Sequence, residues 1–285
     1  MSKVAVVTDS TAYIPENLVK QHNITVAPQV LIWGEETFKD GIDILPSEFY
    51  HRLKNTDVMP TTSQVSPLAM KNLFENLIGE GYSIVGIFIS SLLSGTIQSA
   101  TQALEDMTPA MKEKVAVVDS RTTAMAMGFQ ALMVARAAQA GESLDECHKL
   151  ALQTREHTGV LFTVETLEFL KRGGRIGGAQ AMLGTVLNIK PILEVKDGRI
   201  EGVEKVRTKG KAIERVVEIV SEQIAGRKPV RIATLHANAE AEAQSLLEMA
   251  AGQLDPVEKI LATVSPVIGN HTGPGTVGLA YMAGL

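Results

Sequence analysis

Short apolar runs rich in β-branched residues alternate with amphipathic segments through the first half of the chain. Residues 4–7, 84–89 and 115–118 carry almost only aliphatic side chains, and stretches of helical length separate them. Strands that are apolar on both faces are typical of a parallel sheet covered by helices on both sides. The alternation therefore predicts a three-layer α/β/α domain with a parallel sheet over residues 1–157.

Two further segments refine this prediction. Residues 24–32 form another apolar run, which we interpret as one strand, and the Gly and Asp residues of 34–43 indicate a loop after it. In the second half, Asp197-Gly198 divides two strand-like segments within residues 192–206 and predicts a tight hairpin. We therefore expect a mixed-sheet α/β domain over residues 158–285. No linker separates the domains, so we expect a ligand between or within the docked domains.

Composition and charge narrow the class of function. The net charge is −5, which gives no general attraction to nucleic acid, and no helix-turn-helix pattern supports a DNA-binding regulator. The single cysteine, Cys147, excludes an internal disulfide and suits a reducing compartment. No apolar run approaches the ~20 residues of a membrane span, and the N-terminus lacks the pattern of a signal peptide. These features predict a cytoplasmic protein with at most transient membrane contact.

Four short runs are crowded with hydroxyl or glycine residues. They are TDST at 8–11, TTSQ at 61–64, SSLLSGT at 90–96 and HTGPGT at 271–276, and three of them directly follow strand-like runs. Open α/β folds bind ligands beyond the carboxyl ends of their strands, where hydroxyls and free N–H groups form a neutral cradle for an anion. No run carries a Walker lysine, a carboxylate pair or the spacing of a metal site. This pattern favours a protein that holds an anion over one that transforms it.

Individual residues in these runs are candidates for the anion site. Thr62 belongs to a run with more hydroxyls than a helix cap needs, and Ser94 lies at the expected start of a helix. Gly95, next to it, can relieve strain in the turn. His271 lies beside glycines that permit close backbone approach. Asp9 is interpreted as a residue that orients its neighbours.

Two basic segments are interpreted differently. The cations of KRGGR at 171–175 have a structural account, since positive charge suits the end of a helix and glycine suits the residue after it. Arg207, Lys209 and Lys211 fall at the start of a predicted helix, where positive charge opposes the helix dipole. A feature that costs stability favours a functional explanation, so we interpret the second segment as a partner surface.

Two other classes of function stay open at this point. Ser94 and His271, with Asp9 or Asp119 as a third member, are the residue types of a serine hydrolase acting on an acyl ester. The chain lacks the Gly-x-Ser-x-Gly elbow of many such enzymes. A sugar-phosphate or nucleotide binder would use similar Gly-rich loops. It would also need a lysine or arginine in the cradle, and the last three polar runs contain none.

Seven motifs occur in order along the whole chain. They are TDSTAYIP near the N-terminus, PTTSQ at 60–64, SSLLSGT at 90–96, KRGGRI at 171–176, LNIKPIL at 187–193, KVRTKGKAI at 205–213 and VIGNHTGPGTVGLAY at 267–281. In this combination the chain resembles the DegV family of bacterial fatty-acid-binding proteins, also called FakB. The resemblance implies a two-domain α/β fold that buries a long-chain fatty acid, needs no cofactor or metal and acts as a carrier. It also implies a partner, the ATP-dependent fatty acid kinase FakA, which converts the presented carboxylate into an acyl-phosphate for phospholipid synthesis.

The resemblance also implies roles for residues at matching positions. The residues implied for the fatty-acid carboxylate are Thr61, Thr62, Ser94, Gly95 and His271. Arg207 is implied as the basic element that docks the kinase. The family often has Gly where this chain has Leu92-Leu93, a departure that bears on acyl-chain preference.

Overall fold

The computed structural model describes residues 3–184 and 189–285, so the first two residues of the LNIKPIL motif lie outside it. The strands are β1 (Lys3–Asp9), β2 (Ile24–Ala27), β3 (Val30–Trp33), β4 (Glu36–Lys39), β5 (Thr61–Ser63), β6 (Tyr82–Phe88), β7 (Val115–Asp119), β8 (Thr158–Thr163), β9 (Lys190–Lys196), β10 (Arg199–Val206), β11 (Val230–His236), β12 (Glu258–Thr263) and β13 (Val277–Ala283). The α-helices are α1 (Glu16–Gln21), α2 (Pro46–Lys54), α3 (Pro67–Gly79), α4 (Thr96–Glu105), α5 (Pro109–Lys112), α6 (Ala124–Gln139), α7 (Leu144–Thr154), α8 (Glu168–Arg172), α9 (Lys209–Ile224), α10 (Glu240–Leu254) and α11 (Pro266–Thr272).

The first half forms the predicted parallel sheet. Its order is β2-β1-β6-β7, and all three pairings are parallel. Side chains alternate between two apolar cores. Val7 and Phe88 join the core formed with Phe74 of α3, whereas Val6 and Ile87 join a larger core on the other face. Because the strands run in one direction, the segments that follow β1, β6 and β7 leave the same edge of the sheet.

The second half forms the predicted mixed sheet. Its order is β10-β9-β8-β13-β11-β12, with the β11–β12 pair parallel and the other pairs antiparallel. The hairpin at Asp197-Gly198 is confirmed, and both turn residues have the positive φ that its tight turn requires. Helices α9 and α10 pack against one face. Phe162 on the opposite face shares a core with Phe129 of α6, so the two halves are packed together.

A third, three-stranded antiparallel sheet was not predicted. The apolar run at 24–32 divides into β2 of the parallel sheet and β3 of this small sheet, whose order is β4-β3-β5. Pro28 lies between the two strands and lacks the N–H that would continue a ladder. The expectation of a single strand was therefore wrong. Part of the predicted loop at 34–43 is strand β4, and the TTSQ run begins in strand β5.

The HTGPGT run begins in a helix and continues into a turn. His271 and Thr272 end helix α11, and the turn that follows leads into β13. Proline at the first position suits the start of this helix, but seven residues are too few to show helical periodicity. The side chain of His271 is thus fixed by a helix, which limits its orientation more than a loop would.

The described residues also bear on two predictions, the absence of a membrane span and the position of the domain boundary. Among them, no helix is both long and apolar enough to cross a membrane. The predicted boundary at residue 157 falls immediately before β8, the first strand of the six-stranded sheet. Division of the chain there into two domains stays a prediction.

Candidate functional site

A cavity lies where the outgoing edge of the parallel sheet meets the six-stranded sheet and α11. It has about 860 Å³ of unfilled space including its opening. Much of its wall is apolar and comes from both halves of the chain. The apolar wall includes Leu93, Val160, Phe162, Leu170, Leu235 and Val267. An elongated hydrocarbon would therefore find apolar contacts on several sides.

Thr62 and His271 form a polar pair on the cavity wall. Thr62 lies in β5 and His271 in the last turn of α11, and Thr62 Oγ1 lies 2.8 Å from His271 Nε2. The two residues are 209 positions apart in the chain. The other ring nitrogen, Nδ1, is buried and has no hydrogen-bond partner among the described residues. A Cβ atom at position 173 would lie only 2.0 Å from that nitrogen, so Gly173 is what permits the ring to sit there.

His271 is held in its neutral form. Burial lowers the pKa of its imidazole to about 4, and the positive charges of Arg175 and Arg172 act in the same direction. The residue is 8% exposed. A neutral imidazole carries a proton on one nitrogen only, so near pH 7 His271 can donate one hydrogen bond and accept another.

Ser94 lies on the same wall. Its Oγ is 3.0 Å from Thr96 Oγ1, and its backbone N–H donates to the carbonyl of Ser90 at 3.0 Å. Gly95 has a φ of −75°, which any residue adopts, so the expectation that it relieves strain was wrong. Its missing side chain instead leaves room for Gln64, whose side-chain amide carbon would be 3.1 Å from a Cβ there.

Arg175 is the site residue that sequence reasoning missed. It lines the cavity, its Nε donates to the carbonyl of Leu93 at 3.0 Å, and its Nη1 donates to the carbonyl of Gly173 at 2.7 Å. The expectation of a neutral cradle was therefore wrong, because the polar wall includes a guanidinium. Arg175 belongs to the KRGGRI motif, which could have indicated a role in the site. The cations of that segment were instead explained by the end of a helix.

Not every candidate reaches the cavity wall. Thr61 is exposed and pairs with Ile32 in the small sheet, and neither Thr61 nor Gly95 is among the described residues that line the cavity. Arg207 is exposed and lies one residue before Thr208, which caps α9. It therefore precedes the helix instead of starting it. Within residues 3–184 and 189–285 it forms no ion pair, and it does not line the cavity.

The two lysines next to Arg207 do have partners. Lys209 Nζ lies 3.1 Å from both Glu165 and Glu242, and Lys211 Nζ lies 3.1 Å from Glu214. These carboxylates offset the unfavourable placement of the lysines at the helix N-terminus. Of these three cations, Arg207 is therefore the one for which the role in a partner surface stays a prediction.

The described hydrogen bonds do not connect the members of a hydrolase triad. His271 contacts Thr62 instead of Ser94, and its second nitrogen faces Gly173. Asp119 accepts from Ser91 and from the backbone N–H of Arg121. The arrangement offers hydrogen-bond donors to a ligand but no base directed at Ser94.

Asp9 orients its neighbours, as predicted. Its Oδ1 accepts from the backbone N–H and the hydroxyl of Thr11 at 3.0 and 2.6 Å, and its Oδ2 accepts from the N–H of Ile89 at 2.9 Å. Burial raises the pKa of this carboxyl, and the hydrogen bonds partly offset that effect. Thr11 and Ile89 both line the cavity, so Asp9 fixes part of its wall from behind.

The chain is similar to known proteins over nearly its full length. A DegV domain-containing protein of Clostridium perfringens is 38% identical over 280 residues, which is 98% of each chain. A solved structure described as fatty acid binding of a DegV family protein from Thermus thermophilus matches with a TM-score of 0.92 at 34% identity, over 99% of both chains. DegV of Bacillus subtilis, described as a fatty acid binding protein, matches with a TM-score of 0.89 at 35% identity, over 99% of this chain and 100% of that one.

The chain also matches the sequence model of a whole protein family. The DegV family model matches residues 3–284, which include every polar run and both basic segments. Sequence and fold therefore agree over nearly the full length, and this chain belongs to the DegV family.

Proposed function

We propose that this chain binds one long-chain fatty acid, with its hydrocarbon tail in the apolar cavity and its carboxylate at the polar wall. The observation that carries the proposal is the union of the two surfaces in one cavity. An apolar wall drawn from both halves of the chain ends at Thr62, Ser94, Arg175 and His271. The fatty-acid-binding relatives from Thermus thermophilus and Bacillus subtilis support it.

The tail and the head group contribute differently to binding. Burial of hydrocarbon contributes about 0.8 kcal/mol per CH₂, so a sixteen-carbon chain offers roughly 10 kcal/mol before the costs of association. A buried carboxylate needs partners, because an unpaired one is expensive to remove from water. Hydroxyl donors, the neutral His271 and the guanidinium of Arg175 supply them. The tail thus provides affinity and the polar wall fixes the position of the carboxylate.

We further propose that the chain is a carrier that presents this carboxylate to a separate ATP-dependent fatty acid kinase. The polar wall binds a carboxylate without a base directed at Ser94, so an acyl ester hydrolase is the less well supported alternative. Arg207 is exposed and free of ion pairs among the described residues, which suits a docking contact. The ligand would lie between the proposed domains at 1–157 and 158–285.

Mass spectrometry of the purified protein tests the binding proposal. Denaturation in organic solvent should release one fatty acid per chain. An extract without lipid, or with phospholipid alone, would contradict the proposal. A fluorophosphonate probe tests the alternative in parallel, since covalent labelling of Ser94 would indicate a hydrolase.

Ser94→Ala separates fatty-acid binding from presentation of the carboxylate to the kinase. Ser94→Ala removes one hydrogen bond to a charged group, worth about 1.5–3 kcal/mol and small beside the contribution of the tail. It should therefore lower acyl-phosphate formation more than fatty-acid retention. Loss of all retention in a folded variant would show that the head group, and not the tail, dominates affinity.

Arg207→Ala tests the docking role. It should leave fatty-acid binding unchanged, lower acyl-phosphate formation and reduce the dependence of that reaction on ionic strength, because a charge pair across the interface is lost. Lys211→Ala is the matched control, since Lys211 is an exposed cation on the same segment with a partner on its own chain. Equal salt curves for wild type and Arg207→Ala would contradict the docking role.

A further inference from the structure

Two buried polar residues lie behind Ser94. Gln29 is 2% exposed and Thr96 is fully buried. Gln29 Nε2 lies 3.0 Å from Thr96 Oγ1, and Thr96 Oγ1 lies 3.0 Å from Ser94 Oγ. The Gln29 amide also lies close to the carboxylate of Asp9 and lowers the pKa of that group. The two hydrogen-bond contacts link Gln29 through Thr96 to Ser94, which lies on the cavity wall.

The neighbouring carboxylate of Asp9 fixes the orientation of the Gln29 amide. Asp9 already accepts three hydrogen bonds, from two donors of Thr11 and from Ile89, so its carboxylate acts as an acceptor. An acceptor must face the NH₂ group of an amide and not its oxygen. The NH₂ group of Gln29 therefore faces the side of Asp9, and it donates to Thr96 Oγ1.

The contact between Gln29 and Thr96 fixes the direction of the hydroxyls. Because Gln29 donates to Thr96 Oγ1, the hydroxyl proton of Thr96 needs an acceptor of its own. In the described part of the chain, the other hydrogen-bond partner of Thr96 Oγ1 is Ser94 Oγ. If Ser94 donated instead, a fully buried Thr96 proton would remain unpaired, at the cost of a desolvated donor. The arrangement that satisfies every group has Thr96 donating to Ser94, which leaves the Ser94 proton free to point into the cavity.

We propose that Gln29 and Thr96 are positioning residues that turn the Ser94 hydroxyl into a dedicated donor, so that the site selects an acceptor head group. A carboxylate gains from a donor of fixed direction, because a hydrogen bond to a charged acceptor is the stronger kind. An alcohol, which carries a proton and no charge, gains less. The proposal rests on the proposed binding of a fatty acid and adds the reason why the acid is preferred to the alcohol.

The test compares two ligands that share one tail. Dissociation constants of palmitate and 1-hexadecanol are measured by displacement of a fluorescent fatty acid. Thr96→Val keeps the shape of the side chain and removes the link, and it should weaken palmitate about tenfold while hexadecanol changes less than twofold, as expected for one lost charge-assisted bond. Thr96→Ser keeps the hydroxyl and should restore the wild-type ratio.

A second background distinguishes positioning from packing. In Ser94→Ala, adding Thr96→Val should leave the ratio of the two dissociation constants unchanged, because the effect acts through Ser94. If Thr96→Val does not fold, Gln29→Met removes the hydrogen bond to Thr96 and should also lower the preference for palmitate. A folded Thr96→Val or Gln29→Met variant with the wild-type ratio, or with equal losses for both ligands, would overturn the positioning role. Wild-type protein that binds neither ligand would instead overturn the proposed function.

Discussion

The two basic segments of the chain both depart from the roles that their local sequences indicate. The segment at 171–175 has the composition of an ordinary helix end, yet Arg175 reaches the cavity wall and influences His271. The segment at 207–211 places cations against a helix dipole, yet Lys209 and Lys211 have carboxylate partners. Of the three cations in this segment, Arg207 is the one still proposed to dock a partner protein. The comparison teaches that the fit of a residue to its own helix does not exclude a second role in a distant site.

The largest expected difference between the segments lies at their glycines. Gly173→Ala would place a Cβ 2.0 Å from His271 Nδ1, so the ring must move and its contact with Thr62 should break. We expect the free energy of unfolding to fall by about 1–3 kcal/mol, as for other overpacked sites, and fatty-acid affinity to fall with it. Chemical denaturation and ligand displacement measure the two effects.

The matched glycine in the other segment provides the control. A Cβ at position 210 meets nothing within 4 Å, and the residue lies in the first turn of α9. Gly210→Ala should therefore raise the free energy of unfolding by about 0.4–1 kcal/mol and leave binding unchanged. Similar behaviour of the two glycine variants would show that the segments do not differ as described.

The next difference concerns the arginines themselves. Arg175→Met keeps the apolar stem and removes the charge from the cavity wall, so palmitate affinity should fall about tenfold, as expected for one hydrogen bond to a charged group. Arg207→Ala should bind palmitate as tightly as wild type. Displacement of a fluorescent fatty acid compares the two variants. Equal affinities of Arg175→Met and wild type would return Arg175 to a purely structural role.

The pKa of His271 distinguishes Arg175 from Arg207 without a ligand. The pKa should be about 4 in wild type and stay unchanged in Arg207→Ala. In Arg175→Met it should rise only part of the way to 6.5, because burial, the larger cause of the lowered pKa, remains when the positive charge is lost. Nuclear magnetic resonance titration, with assignment by His271→Asn, measures it. Because folding lowers this pKa, the contribution of His271 to stability is complete above 6.5 and is lost as the pH falls from 6.5 toward 4. The difference in stability between wild type and His271→Asn should follow that window.

The smallest expected effect separates the two paired lysines. Lys209 is 22% exposed and contacts two carboxylates, whereas Lys211 is 53% exposed and contacts one. Lys209→Met should lower the free energy of unfolding by up to about 1 kcal/mol, and Lys211→Met by no more than about 0.3 kcal/mol. Denaturation in low and high salt measures both. A larger loss in Lys211→Met would mean that the helix N-terminus is organised differently.

Prediction from sequence succeeded where one segment carries its own signal. The buried runs of the parallel sheet and the turn residues Asp197-Gly198 each specify a local conformation, and both were confirmed. It failed where the outcome depends on a partner. The small sheet pairs Leu31 with Thr62, and no periodicity in three- and four-residue strands distinguishes them from loop.

The sequence by itself determined the membership of the family, the class of the fold and the polar runs that supply Thr62, Ser94 and His271. These follow from residue identity and from short-range patterns, which local sterics and hydrogen bonding translate directly into structure. Only the tertiary structure decided that Thr62 meets His271 across 209 positions, that Arg175 joins them, and that Gln29 and Thr96 stand behind Ser94. The physical reason is that packing of the two sheets and α11 brings these side chains within hydrogen-bonding distance, and no local segment encodes that approach.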